Sequence, residues 1–248
     1  KSYTANWTAN SYSISYAGLE GASCTTKPTS ATFDSSFTVS NPTKTGHTFS
    51  GWDVTGMDSV THTYGSQTTT GSNISKTKAT SFNNLRAASG TVTFTANWDV
   101  DNHTLTADAN GGTVSATSGW TIAGDSKSAT KSFAYNTAYS FPTVTRTGYT
   151  LTGWNTKADG NGTAVTTSTK MGTSDATVYA QWSKDTYNIT YNLNDSSGST
   201  RAVHNSPKTS YQVDTDTFSL VTPTRTGYTF NGWNITGMDS GVTHYYGS

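Results

Sequence analysis

Cysteine is nearly missing. The single one in 248 residues, Cys24, cannot close an internal disulfide or build a multi-cysteine zinc site. Charge is also scarce: 12% of residues carry it, 15 Lys+Arg balance 15 Asp+Glu, and the formal net charge is +0 with a pI near 7.1. Without a basic excess there is nothing to neutralise phosphates, which removes the main source of affinity for nucleic acid. No apolar run reaches the length of about eighteen residues that a membrane-spanning helix needs, so no span is expected in this segment. The chain opens at Lys1 without a charged-then-apolar leader, so any export signal is expected to lie outside this sequence. Helix-forming Ala, Leu, Glu and Lys are thin throughout, which argues against a large helical protein.

What fills the space is Ser and Thr, together roughly a third of the chain, a bias that in other settings marks disorder. Aromatics argue otherwise. They make up 12% of residues, with 7 Trp and 14 Tyr, whereas disordered polar tracts are poor in them. The residues in excess (Thr, Tyr, Val, Trp) are strand formers. A mainly β protein with small aromatic cores is expected.

Self-similarity organises the chain. Thr45-Gly46-His47-Thr48-Phe49-Ser50-Gly51-Trp52 recurs as Thr147 to Trp154 and again as Thr226 to Trp233. Each copy follows Lys44, Arg146 or Arg225, and a few residues earlier Pro42, Pro142 or Pro223. A second motif runs Tyr3-Thr4-Ala5-Asn6-Trp7, Phe94-Thr95-Ala96-Asn97-Trp98 and Val178-Tyr179-Ala180-Gln181-Trp182. Taking it as the end of a unit gives residues 1–7 as the closing strand of a preceding repeat. Repeat 1 then spans 8–98, repeat 2 (shorter and divergent) 99–182, and repeat 3 183–248. That spacing suits small domains in series.

Inside a unit the apolar period is two, the signature of a half-buried strand. Units open on Tyr12, Ile14 and Tyr16, on His103, Leu105 and Ala107, and on Tyr187, Ile189, Tyr191 and Leu193. The closing strand is clearest at Val92, Phe94, Ala96 and Trp98. Phe49 and Trp52 break the alternation, and Gly51 between them suggests a bulge that turns both rings inward. The best helix signal is Ser81 to Gly90, where Phe82, Leu85 and Ala88 lie three apart. The stretch 67–80 has no periodicity and reads as a long polar loop.

Proline, a basic residue, Thr-Gly-Tyr-Thr-Phe-x-Gly-Trp, a variable polar stretch and Tyr-x-Ala-x-Trp together resemble the Listeria–Bacteroides repeat, which includes the B repeat of internalin-type surface proteins. The resemblance covers nearly the whole chain. It implies a β-grasp-like α+β module with little helix, repeated along bacterial surface or secreted proteins as stalk, spacer or contributor to adhesion. These units are longer than the family's typical one, and copies one and three carry an extra segment after the Gly-Trp strand.

The six recurrent tryptophans, Trp7, Trp52, Trp98, Trp154, Trp182 and Trp233, read as structural anchors, because an indole buries much area and small domains need it. Trp120 lies outside both motifs. With Tyr245 and Tyr246 it is the candidate for facing a ligand, a core role being the favoured alternative for Trp120. No metal is expected. His47, His62, His103, His204 and His244 do not pair at ligand spacing and read as strand-edge or loop polar groups. Asp159-Gly160-Asn161-Gly162 lacks the downstream acid of a calcium loop and reads as a turn. Ser128-Ala129-Thr130-Lys131 fits Ser-x-x-Lys but has no helical domain to carry it, and no nucleophile elbow or phosphate loop occurs. Neither an enzyme nor a cofactor is expected.

The chain therefore reads as a non-enzymatic extracellular repeat region of a bacterial surface protein: a stalk, spacer or fibre-forming adhesin segment. The alternative is a carbohydrate- or receptor-binding module using exposed aromatics. Neighbouring repeats are the expected partners, with a glycan or host-surface ligand and head-to-tail homo-assembly as further options. The third unit stops at Ser248, ahead of a closing strand. Either the sequence is a window on a longer array, or Lys1 to Trp7 of another chain completes that unit. Both readings place Tyr3, Ala5 and Trp7 in a strand.

Overall fold

The computed structural model describes residues 1–196, 200–215 and 217–238. The chain divides into two compact units, residues 1–145 with 153–181, and residues 146–152 with 182–248. No helix occurs among the described residues.

In the first repeat the strands are β1 (Ser11–Ala17), β2 (Ala22–Ser23), β3 (Ser30–Thr32), β4 (Phe37–Thr38), β5 (Thr43–Lys44) and β6 (His47–Thr55). They continue with β7 (Val60–Tyr64), β8 (Gln67–Gly71), β9 (Ile74–Thr77), β10 (Ser81–Asn83) and β11 (Thr91–Val100). Opening and closing strands lie side by side in parallel, Ser13 opposite Thr91 through to Ala17 opposite Thr95. A parallel pair needs a long crossover, and here strands and turns supply it. The main sheet runs β2-β5-β6-β11-β1-β3, with β9 paired to β6, and a second sheet runs β4-β10-β7-β8.

Alternation places the core. Tyr12 and Ile14 of β1, Val92, Phe94 and Ala96 of β11, and Trp52 and Val54 of β6 are buried together with Phe82 and Leu85. Phe82 meets Phe94 edge-on at 4.9 Å, so the core draws on both sheets. The bulge forms as the sequence suggests. Ala96 faces Trp52, Asn97 faces Gly51 and Trp98 faces Phe49, which leaves Ser50 as the extra residue. Phe49 and Trp52 thereby contact each other at 5.3 Å.

Three expectations are corrected. Residues 67–80 are not a loop, because β8 pairs with β7 along five positions and β9 pairs with β6. Residues 81–90 are not a helix. Ser81–Asn83 is strand β10, and Asn84 at φ 59° turns the backbone out of any helical path. Phe82 and Leu85 do face the core, while Ala88 is exposed. Residues 1–7 lie in no strand, with Tyr3 and Trp7 91% and 92% exposed.

Asp53 on β6 ties β9 in place. Its Oδ1 accepts the Lys76 backbone N–H at 2.8 Å and the Ser75 hydroxyl at 3.2 Å. That backbone hydrogen bond is the main reason its pKa lies below the ordinary 3.8; burial opposes, and Asn97 and Ser75 add to the lowering. A depressed carboxylate contributes stability above its unfolded pKa and loses it as pH falls through the folded value. Asp53→Asn should therefore destabilise the first repeat at neutral pH, and the gap from the parent should narrow as the pH falls below the ordinary 3.8 and through the depressed folded value. Urea titrations across pH measure this, and a gap independent of pH would refute it.

The second repeat carries β12 (Asn102–Asp108), β13 (Thr113–Val114), β14 (Thr121–Ile122), β15 (Ser128–Ala134), β16 (Val144–Thr145), β17 (Tyr149–Asn155), β18 (Ala164–Val165) and β19 (Ala176–Lys184). The plan is the same: β12 and β19 are parallel, in the order β14-β15-β12-β19-β17-β18. Leu105, Ala107, Val178 and Ala180 alternate into its core. Within the second unit, β20 (Thr186–Asn188) and β21 (Ser210–Gln212) pair antiparallel. There Trp233 contacts Tyr191 at 5.3 Å and Phe230 at 5.2 Å.

Candidate functional site: the joint between repeats

A four-residue turn, Lys44-Thr45-Gly46-His47, links β5 to β6. Only its third residue takes positive φ, +67° at Gly46, the requirement of a type II turn and the reason glycine stands there. The bare glycine is also a seat. A Cβ on it would lie 2.1 Å from Cγ of Tyr135, at the tip that follows β15 of the next repeat. Asp101, in the connection between the two repeats, binds both sides. Its N–H donates to the Gly46 carbonyl at 3.0 Å, and its own carbonyl accepts the Tyr135 N–H at 2.8 Å. Its carboxylate accepts the Thr48 hydroxyl at 2.6 Å.

Rings continue the contact into the core. His47 meets Tyr135 at 6.0 Å and Trp98 at 6.5 Å, and Trp98 meets Phe49 at 5.5 Å. Trp98 is fixed by its indole N–H, which donates to the Gly18 carbonyl at 2.8 Å, and the Lys44 ammonium stands 5.8 Å from its ring. Repeat 1 and the tip of repeat 2 therefore share one line of packed aromatics.

The second unit contains the same construction. Gly148 at φ +75° occupies the turn, and a Cβ on it would lie 2.6 Å from Val213 Cγ2. Asp185 N–H donates to the Gly148 carbonyl at 2.9 Å, and Thr150 donates to the Asp185 carboxylate at 2.6 Å. Arg146 stacks on Tyr149 at 3.7 Å, and the Tyr149 hydroxyl donates to Asp214. That carboxylate is the chief reason the Tyr149 pKa is raised.

Three matches to the Listeria–Bacteroides repeat domain cover residues 12–77, 103–181 and 187–245. The chain belongs to this family. A protein of Evansella cellulosilytica, named provisionally as a Gly-rich membrane protein, is 37% identical over 108 residues, which is 40% of this chain. The chain spans only 12% of that relative's length. No solved structure matches.

Within these Listeria–Bacteroides repeats the motif tryptophans differ in depth. Trp52 is 0% exposed and Trp154 7%, while Trp98, Trp182 and Trp233 are half-buried and Trp7 is exposed. Trp120 does not face a ligand. It is buried and meets Phe133 at 6.2 Å, at the head of a series that passes through Tyr139 and Phe141 to Trp154. Tyr245 and Tyr246, like Asp239 and His244, lie outside the described residues.

His62 is not at an edge or in a loop. It is fully buried in β7, with Nδ1 3.0 Å from the Val60 carbonyl. Asp58 is occupied structurally: it accepts the N–H groups of Ala87 and Ala88 at 2.9 and 3.0 Å and pairs with Arg86 at 3.2 Å. Asp159 accepts the Asn161 N–H at 3.0 Å, an Asx turn. Lys131 reaches Ser140 at 3.1 Å, and with Ser128 it lies along strand β15. Among the described residues no three potential metal ligands converge.

Sequence reasoning missed the joint itself. The usable signal was an acid three residues beyond the closing tryptophan, Asp101 after Trp98 and Asp185 after Trp182, with Asn10 after Trp7. A threonine follows the turn aromatic each time, at 48, 150 and 229.

Proposed function

We propose that this chain is a non-enzymatic, extracellular spacer in which small β modules are held one against the next by a recurring joint. The observation that carries the reading is the seat at Gly46, where a turn, an inter-repeat aspartate and a tip aromatic interlock. The turn, its aspartate and the threonine that binds it recur around Gly148, with Val213 in the place of the tip aromatic. A flexible linker has no use for a glycine that accepts the next module's side chain, whereas a spacer that must keep its modules in register does. The repeat family is typical of surface proteins, and the relative's name places that protein in a membrane. No helix of the described residues is long and apolar enough to cross one. Burial of Trp120 removes the aromatic on which a glycan-binding role chiefly rested.

The test is backbone relaxation by nuclear magnetic resonance. Repeats 1 and 2 should tumble with one correlation time in the parent. Gly46→Val should drive Tyr135 off its seat, and Tyr135→Ser should remove the ring. In both variants the correlation times of the two repeats should separate, while far-ultraviolet circular dichroism is unchanged. Unaltered relaxation in both variants would sink the spacer reading.

A further inference from the structure

We propose that strand β8 is a docking edge that pairs antiparallel with β8 of a second copy of this chain, so that two β4-β10-β7-β8 sheets join side by side. The spacer reading concerns successive repeats of one chain, and none of the joint residues takes part in this pairing.

β8 lies in the extra segment that follows the Gly-Trp strand of repeat 1. Sheet edges expose unpaired backbone groups, and proteins blunt them with short strands, charge, proline or bulges. The other edge strands among the described residues are blunted in these ways. β2, β4, β14 and β18 have two residues each and β3 has three. No strand of the two-stranded sheets exceeds three. β9 has four, but it carries Lys76 at φ 47° and its pairing with β6 shifts register. β8 has five residues, pairs with β7 in unbroken register, and contains neither charge nor proline. No Asp, Glu, Lys or Arg stands anywhere between Asp58 and Lys76. Thr68, Thr69 and Thr70 are all exposed.

The register fixes which backbone groups point outward. Gly65, directly after β7, donates its N–H to the Ser81 carbonyl of β10 at 2.9 Å. Backbone groups alternate in direction along a strand, so Tyr64 and His62 turn theirs toward β8, where they oppose Gln67 and Thr69. Thr68 and Thr70 therefore direct their N–H and C=O groups away from β7, along the open edge. These two residues lie symmetrically about Thr69, which makes the edge complementary to itself. With a two-fold axis at Thr69, Thr68 faces Thr70 of the second copy and Thr70 faces its Thr68. Each such pair exchanges both of its N–H···O bonds. The side chains agree with this register. On the face opposite buried His62, the Thr61 and Thr70 hydroxyls meet at 3.1 Å and Thr63 opposes Thr68. The same threonine-to-threonine ladder continues across the seam. A formal net charge of +0 leaves no overall repulsion between copies. A strand of five residues covers less than the roughly 1,200 Å² of a stable complex, so single pairings are weak and count where many copies stand together.

The experiment uses the full chain with Cys24→Ser, which removes its one native thiol, and adds Thr69→Cys at about 1 mM in a glutathione redox buffer. Thr69 should face its own copy in a non-hydrogen-bonded pair, with Cα atoms about 4.5 Å apart, inside the range a disulfide bridges. Thr69→Cys should form the intermolecular disulfide at least about tenfold faster than Thr68→Cys or Thr70→Cys, which are also exposed but oppose a different residue. Thr70→Pro, added to Thr69→Cys, removes an outward N–H and no bond to β7, so the sheet is kept and the rate advantage is lost. Thr70→Lys installs the charge that guards other edges and should do the same. Equal rates for the three cysteine variants, or a fast Thr69→Cys reaction indifferent to both Thr70→Pro and Thr70→Lys, would overturn the proposal. Neither result would touch the relaxation behaviour of Gly46→Val, so the docking and the spacer reading fail separately.

Discussion

Replacing Trp52 with alanine should lower the stability of the first repeat by about 3–5 kcal/mol, the range for removing a large aromatic from a packed core. The ring is 0% exposed and is enclosed edge-on by Tyr16 at 5.9 Å, Phe49 at 5.3 Å and Phe94 at 5.7 Å. Those neighbours belong to three strands of one sheet, so the surroundings cannot collapse into the void without breaking ladder hydrogen bonds. Small domains are stable by only about 5–15 kcal/mol, so the loss takes away much of what holds this repeat together. Trp52→Phe should cost much less. The indole N–H is buried without a hydrogen-bond partner, and phenylalanine removes that unpaired donor while keeping most of the ring. Urea unfolding followed by far-ultraviolet circular dichroism gives both numbers. A loss below about 1 kcal/mol for the alanine variant would mean that the site repacks.

Gly51→Ala should be the next most damaging change. The residue sits at φ +140°, a conformation that side chains resist at a cost of about 1–3 kcal/mol. Its added methyl would lie 2.4 Å from the carbonyl carbon and oxygen of Lys76 and 2.8 Å from its Cα. Those are backbone atoms of β9, which cannot swing aside as a side chain can, so β9 must leave β6. Gly153 supplies the control, because it has φ +153° and a methyl added there would meet nothing within 4 Å. Gly153→Ala then reports the backbone cost alone. Gly51→Ala should exceed it, with hydrogen exchange speeding up at Ile74–Thr77. Equal costs would show that β9 contributes nothing to the repeat.

The strand pattern was legible because a half-buried strand writes its burial into the sequence with a period of two. Tyr12 and Ile14, Val92 to Ala96, and Leu105 and Ala107 all carry it. The bulge was legible for a related reason: Phe49 and Trp52 could share a face only if a residue was inserted, and Gly51 marked the place. The hairpin at β7 and β8 was illegible because β8 buries almost nothing. Its Thr68, Thr69 and Thr70 are all exposed, so no alternation was written, and its pairing rests on backbone ladders and a Thr61–Thr70 hydroxyl contact at 3.1 Å. The Phe82 and Leu85 pair imitated a helix by spacing, since a short strand followed by a turn at Asn84 can also bring residues three apart to one side. Trp120 stood between a core and a ligand-facing role because it lies outside both recurring motifs, and the structure gives it the core role. The divergent second repeat fills its interior through Trp120, Tyr139 and Phe141 instead. The joint went unread because it is made of residues that each look local, a turn glycine, a linker acid and a loop aromatic, and only the fold brings them together.

The parallel pairing of β1 with β11 bears on how a repeat would respond to being pulled. The start of β1 lies beside the start of β11, with Ser13 opposite Thr91, and both strands run the same way to Ala17 and Thr95. If a repeat were pulled through its neighbours, tension would enter at the beginning of β1 and leave at the end of β11. The two strands would then be dragged past each other lengthwise, and every bond between them would be strained at the same moment. An antiparallel pair gripped at its open end would give way one rung at a time. Under such a pull, strands placed this way would make the sheet a brace that yields only when the whole row of bonds shears together.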